Sequence, residues 1–233
     1  MGGRSRWMRN GAVLIERDCK NGHDALASAG PKRERYKMLY DRLPDFVREN
    51  YYCGEWHHAS AVLFGDHPDE WRDLMDVLTD FRLKKSHITV GGKNKSQLAA
   101  SIDEFLENRG WKETRFDTKI VVDNVETETP THKIDMFKNG VAVEIEWNNK
   151  DPFYDRDLNN FRLLHALRTV SVGVLITRSD ELQDIFKKLG RGSSYGNSTT
   201  HMSKLVPRIE GGGAGGCPIL TFGIKPSLYR ENE

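Results

Sequence analysis

Lys133-Ile134-Asp135-Met136-Phe137-Lys138-Asn139-Gly140-Val141-Ala142-Val143-Glu144-Ile145-Glu146-Trp147 is the stretch whose reading decides the fold. Asn139-Gly140 between two short alternating runs is the strongest local signal for a two-residue hairpin, because both turn positions must accept positive φ. Such a turn sets Lys138 opposite Val141, Met136 opposite Val143, Asp135 opposite Glu144 and Lys133 opposite Glu146. Side chains alternate along a strand, so Ile134, Met136, Val143 and Ile145 share an apolar face, and Lys133, Asp135, Glu144 and Glu146 the other. Carboxylates directly across an antiparallel pair lie about 4.5–5.5 Å apart at Cβ and repel each other. Either that face is solvated, with Lys133 screening the acids, or a cation sits between them. Carboxylate oxygens suit a hard divalent ion, magnesium above all where phosphate is also a ligand.

Downstream, Asn148–Pro152 is a turn-rich loop, and Asp155–Arg168 reads as a helix with Leu158, Phe161, Leu164 and Leu167 on one stripe. Val170–Thr177 is almost continuously apolar and β-branched, the signature of a strand covered on both faces. Ser179 caps a further helix. Hairpin, helix, buried strand and helix define an α/β fold: a mixed central sheet flanked by helices. Gly190–Thr200 is a long polar loop of the kind that is functional or mobile. Met202–Ile209 reads as a short helix, Glu210–Gly216 as a flexible connection and Cys217–Gly223 as a last strand. Upstream, Thr118–Asp123 is strand-like, and the polar stretch Asn124–Thr131 separates it from the hairpin. Ser96 caps a helix closed by Gly110, Pro68 opens another, and helical patterns cover Asp41–Tyr51 and Trp56–Phe64. Gly91–Lys95 lacks the spacing of a phosphate-binding loop, and His57-His58 point apart on a helix rather than toward one ion.

The 233 residues suffice for one domain with a sizeable core, expected over 38–233, with a mainly helical part at 38–110 and an α/β catalytic core at 111–224. Residues 1–37, with nine Lys/Arg against four Asp/Glu, read as a poorly ordered basic arm or extension. The net charge of +1 leaves any nucleic-acid contact to local patches. Three scattered cysteines argue for a reducing compartment, and no apolar run reaches membrane-spanning length, so a cytoplasmic location without membrane contact is expected.

An aspartate, eight intervening residues and then Glu-x-Glu on a hairpin resemble the active site of the PD-(D/E)XK nucleases. The usual lysine of that superfamily is here Glu146, which narrows the resemblance to the BamHI-type Glu-x-Glu enzymes. Val143–Phe153 with its following helix, and Ser198-Thr199-Thr200-His201-Met202-Ser203-Lys204-Leu205, are similar to the BglII/BstYI-like group of type II restriction endonucleases. In layout the resemblance covers residues 38–224. It implies metal ligation by Asp135, Glu144 and the Ile145 carbonyl, a catalytic role for Glu146, and a further polar residue upstream, for which Glu113, Thr114 and Glu107 all fit and Glu113 is preferred. It implies DNA contacts from Asn148, Asn149, Asn197 and Ser198 to bases. Lys150, Arg191, His201 and Lys204 would touch phosphate, and Lys133, Thr199 and Thr200 would flank them. Asn is suited to adenine edges, whereas phosphate contacts position without specifying.

Phosphodiester hydrolysis needs a polarised phosphoryl oxygen, an activated water and a stabilised leaving alkoxide, which Mg2+ can supply. Glu146 could orient or deprotonate the water or help hold a second metal; Lys133 could supply the missing ammonium or merely pair with an acid. The expected function is cleavage of double-stranded DNA at a short palindromic site by a homodimer, in a system with a cognate methyltransferase. The alternatives are a repair or mobile-element nuclease, and a non-catalytic DNA-binding protein on a decayed nuclease fold.

Overall fold

A computed structural model describes residues 38–90, 95–129 and 131–231. The basic arm at 1–37 and most of the Gly91–Lys95 loop lie outside the described residues. In chain order the elements are α1 (Asp45–Asn50), β1 (Tyr51–Trp56), α2 (Ala59–Asp66), α3 (Pro68–Asp80), β2 (Leu83–Lys84), α4 (Lys85–Thr89), α5 (Gln97–Glu107) and β3 (Lys112–Thr114). There follow β4 (Thr118–Val122), β5 (Val125–Thr129), β6 (Ile134–Lys138), β7 (Val141–Glu146), α6 (Phe153–Ala166), β8 (Val172–Arg178), α7 (Gln183–Lys188), α8 (Met202–Glu210), β9 (Ile219–Ile224) and β10 (Tyr229–Arg230).

Six strands form the central sheet in the order β1-β9-β8-β7-β6-β3. The three middle strands, β9, β8 and β7, run parallel; β1, β6 and β3 join antiparallel. Every residue of β8 is buried, as its unbroken apolar run requires. One face is covered by a core that includes Leu74, Leu78, Ile102, Leu106 and Phe186, and the other by Tyr154, Leu158, Phe161, Leu205 and Ile209 of α6 and α8. Gly173 lets Phe161 approach β8: a Cβ there would lie 2.5 Å from the ring.

The hairpin turn forms as expected. Asn139 and Gly140 have φ of +47° and +86°, and Lys138 faces Val141, Phe137 faces Ala142 and Met136 faces Val143. Helix α3 grips the tip: Lys138 Nζ lies 2.8 Å from Asp73, and Asn139 Nδ2 donates to Glu70 at 2.8 Å. Asp73 also accepts from Trp111 Nε1 at 3.0 Å.

Beyond Met136 the expected alternation breaks. Lys112 pairs with Phe137 but Thr114 with Ile134, so β6 has one residue more than β3 between these pairs. Such a bulge reverses which face the following side chains occupy. Ile134 therefore enters the α6-side core with Ala142, while Met136, Val143 and Ile145 stay in the other.

Several boundaries differ from the sequence reading. Tyr51–Trp56, where one expected helix ends and the next begins, is a strand against β9. Asn124–Thr131 contains β5, which forms a separate two-stranded ribbon with β4 around a turn at Asp123-Asn124. His57 and His58 are exposed in a left-handed turn rather than on a helix. The loop after α7 is pinned by Tyr195, which is buried and stacks on Phe186 at 4.1 Å. The glycine run after α8 makes successive hydrogen-bonded turns and buries Ala214.

Candidate active site

The bulge decides where the acids point. Asp135 does not sit in a regular pair with Glu144; its Oδ2 accepts the Ile145 backbone N–H at 2.9 Å. The Asp135 backbone N–H in turn donates to the Glu144 carboxylate, so the two acids remain neighbours although the ladder has ended. Glu144 and Glu146, two residues apart on β7, project toward α6 and are 1% and 2% exposed. The face that the sequence leaves open as solvated or cation-filled is thus a covered one.

Helix α6 closes it with Arg156 and Asp157, neither of which the sequence reading singles out. Asp157 is fully buried, and its Oδ1 receives both Nε and Nη2 of Arg156, at 3.0 and 2.8 Å. Arg156 Nη2 also lies 3.6 Å from Glu146 Oε1. His132, just before β6, sets Nε2 at 3.2 Å from Glu144 Oε1 and 3.0 Å from Asp157 Oδ1. Asn149 Nδ2 donates to Glu146 Oε2 at 2.8 Å. The signal for Asp157 was present in the sequence: with Tyr154, Leu158, Phe161 and Leu164 it lies on the inward stripe of the helix, an acid where an apolar residue is expected. Leu167, assigned to that stripe, lies just past the helix end and is exposed.

Four carboxyl groups thus gather against one arginine and one histidine. Burial raises the Asp135 carboxyl above its usual range, opposed by the Ile145 N–H and Lys95 and reinforced by Asp157. Glu144 is raised further, by burial first and then by the charges of Asp157 and Asp135. Glu146 is pushed up to about 10, again by burial first and then by Asp157, against the hydrogen bond from Asn149. Positive charge is what this cluster lacks. Oxygen donors with one imidazole suit a divalent cation, and Asp157 Oδ2 is buried with no hydrogen-bond partner, so the residues present fit such an ion.

A cleft of about 660 Å³ opens onto the cluster, lined by Lys95, Glu113, Asp135, Glu146, Arg156 and Arg191, among others. Glu113 reaches the cleft but is half-exposed and bound to Lys133 Nζ at 2.8 Å. Lys133 precedes β6 and turns to β3, so the expected Lys133–Glu146 pair does not form. Two sequence segments singled out for DNA contact are brought together. The N–H of Asp151 donates to the Ser198 carbonyl at 3.0 Å, that of Thr200 to Asn149 at 2.9 Å, and Lys150 bridges Thr199.

Asn148, Asn149, Lys150, Asn197 and Ser198 are exposed. Lys204 is half-buried, 3.8 Å from Asp151. Thr199, Thr200 and His201 face inward and are buried. Thr199 Oγ1 accepts from Arg178 at 2.8 Å, and His201 Nδ1 lies 2.8 Å from Asp180.

A central mixed sheet with helices on both faces, carrying an aspartate and a Glu-x-Glu pair beside a cleft, is a restriction-endonuclease-like fold. The family described as "Restriction endonuclease BglII/BglIII" matches residues 51–224, and the chain belongs to it. It is a type II restriction endonuclease, a site-specific deoxyribonuclease. None of the curated proteins compared with the chain matches it. No helix among the described residues is long and apolar enough to cross a membrane.

Proposed function

We propose that the chain cuts double-stranded DNA at a short palindromic site as a homodimer, with the Asp135–Glu144–Glu146 cluster as its catalytic centre. The observation that carries this reading is Glu144, buried between Asp135 and Asp157 with too little positive charge around it. Asp135, Glu144 and the Ile145 carbonyl would hold Mg2+, which when bound polarises the scissile phosphate and lowers the pKa of a water. Asp135 is fixed for that task by the Ile145 N–H, and Glu144 by the Asp135 N–H.

Glu146 is the proton acceptor. Asn149 fixes its Oε2, and its Oε1 faces Arg156 and the cleft. It ionises only once positive charge enters the cluster, which couples its basicity to a loaded site. Arg156 is the permanent cation nearest the acids and takes the place that Lys133 leaves unfilled. The exposed Asn148 and Asn197 with Ser198 reach base edges, and Lys150 and Lys204 reach phosphates. Asn149 is tied to Glu146, so the loop that reads sequence is hydrogen-bonded to the acid that accepts the proton.

Glu113 is held by Lys133 at the cleft wall as a supporting acid. The buried stripe of α6 packs on the sheet, which leaves dimerisation to other surfaces or to the helix's outer face. The enzyme would act in the cytoplasm alongside a methyltransferase that protects the same site.

The test is cleavage of plasmid with Mg2+. Discrete fragments are expected from the native chain, and Asp135→Ala or Glu144→Ala should abolish cutting while DNA binding persists in a gel-shift assay. Cleavage retained by both variants would move the reaction to another site.

A further inference from the structure

We propose that His132, Glu144 and Asp157 form a second cation position, behind the one between Asp135 and Glu144, with Glu144 shared by both. It rests on the catalytic reading above for the identity of the first position only. Three observations lead to it.

Two of the ligand-atom separations suit an octahedral ion. An octahedral ion with bonds of about 2.1 Å places neighbouring ligand atoms about 3.0 Å apart. His132 Nε2 lies 3.2 Å from Glu144 Oε1 and 3.0 Å from Asp157 Oδ1, and suitable atoms of all three residues lie within 4.8 Å of one another.

The second observation is Asp157 itself. It is a fully buried acid on the apolar stripe of α6, and its Oδ2 has no hydrogen-bond partner. A single imidazole proton shared between two buried carboxylates leaves that oxygen unserved. Arg156 compensates the charge through Oδ1, but a buried carboxylate oxygen left without a partner is still costly, and an ion would serve it.

The third is the donor chemistry. One imidazole with two carboxylates favours a borderline ion such as Co2+ or Zn2+, and accepts Mn2+ more readily than Mg2+, which takes oxygen and keeps its waters. The two positions therefore differ in kind: an all-oxygen one at Asp135–Glu144, and a nitrogen-containing one under α6. Ligation uses the Nε2 lone pair, so the ring carries its proton on Nδ1. Asn160 Nδ2 approaches the His132 carbonyl from α6 at 3.5 Å and helps hold the backbone that carries the ring.

The experiment titrates the full chain, free of DNA, with Mn2+ alone, and reads stoichiometry by calorimetry and ligand type by electron paramagnetic resonance. Two ions per chain are expected, one of them with nitrogen coupling from an imidazole. His132→Ala should remove the coupling and one ion, and Asp157→Asn should remove the same ion. Asp135→Asn should remove the other ion and leave the coupling. The nitrogen signal of the unaltered chain needs no variant, so misfolding of Asp157→Asn cannot mask the answer. A single ion without nitrogen coupling, or coupling unaffected by His132→Ala, overturns the proposal and makes His132 a hydrogen-bond bridge. Neither result depends on whether DNA is cut. If coupling is present but Asp135→Asn still binds two ions and cuts DNA, the catalytic reading fails while this site stands.

Discussion

Replacing Glu146 by Gln should stabilise the metal-free protein, and by more as pH rises. Glu146 has a folded-state pKa of about 10 against an ordinary 4.5. A carboxyl raised in the folded state contributes stability that is fully present below pH 4.5. It is lost progressively as pH rises toward 10, because the unfolded chain releases a proton that the folded one must keep. Each pH unit in that window costs about 1.4 kcal/mol. From 4.5 to pH 7 the loss is at most roughly 3–4 kcal/mol, a sizeable share of the roughly 5–15 kcal/mol by which domains are stable. Gln has the shape of the protonated acid. Its amide oxygen keeps the bond from Asn149, and its NH2 can donate to Asp157 in place of the proton.

The assay is urea unfolding in a chelator at several pH values between 5.5 and 8.5, followed by tryptophan fluorescence. The stability gap between Glu146→Gln and the native chain should widen by about 1.4 kcal/mol per pH unit at most, with unchanged slope against urea. The same variant should lose DNA cleavage, since an amide cannot accept the proton from water. Stability curves that run parallel with pH would refute the reasoning: they would mean that Glu146 ionises at ordinary pH inside the fold.

Gly173→Ala should destabilise the protein by about 1–3 kcal/mol, because its methyl would meet Phe161 at 2.5 Å in a strand covered on both sides; thermal unfolding reads it. Asp180 behaves oppositely to Glu146. Burial pushes its carboxyl up, but hydrogen bonds from His201 and Ser203 prevail and hold it at about 2. Its stabilising contribution is present above the ordinary value of 3.8 and lost as pH falls toward 2, so Asp180→Asn should flatten the acid limb of the unfolding profile between those values.

The hairpin and the helix–strand–helix that follows it were legible because they rest on local rules. Asn-Gly accepts two positive φ angles, β8 is apolar throughout, and Ser96 does accept the Ala99 N–H at 3.1 Å as a helix cap. What escaped depends on pairings distant in the chain. The bulge in β6 is defined only against β3, some twenty residues earlier, and it moved Ile134 to the other core and ended the Asp135–Glu144 register. Tyr51–Trp56 becomes a strand through β9, more than 160 residues away, and the spacing between the two helical patterns gives no sign of it. Asp135, Glu144 and Glu146 could be grouped as candidates from their spacing. His132, Arg156 and Asp157 could not be joined to them without knowing that α6 lies over β7.

That placement of α6 explains why so poor a set of neighbours is tolerated. A cluster of buried acids weakens a fold, and the cost is met by packing on both sides of it. The stripe Tyr154, Leu158, Phe161 and Leu164 seals the helix onto the sheet, while Tyr154 reaches Thr177 at 2.7 Å and Thr177 holds the Glu146 carbonyl at 2.7 Å. The carboxylates therefore cannot escape repulsion by moving apart; they can relieve it only by taking up protons or a cation. A rigid frame that leaves those two outlets is what a divalent-ion site requires in the absence of its ion. The Asn148–Pro152 loop opens directly from the same frame, with Asn149 bound to Glu146 on one side and to Thr200 on the other. A shift of that loop on DNA would thus be felt at Glu146 through a single hydrogen bond.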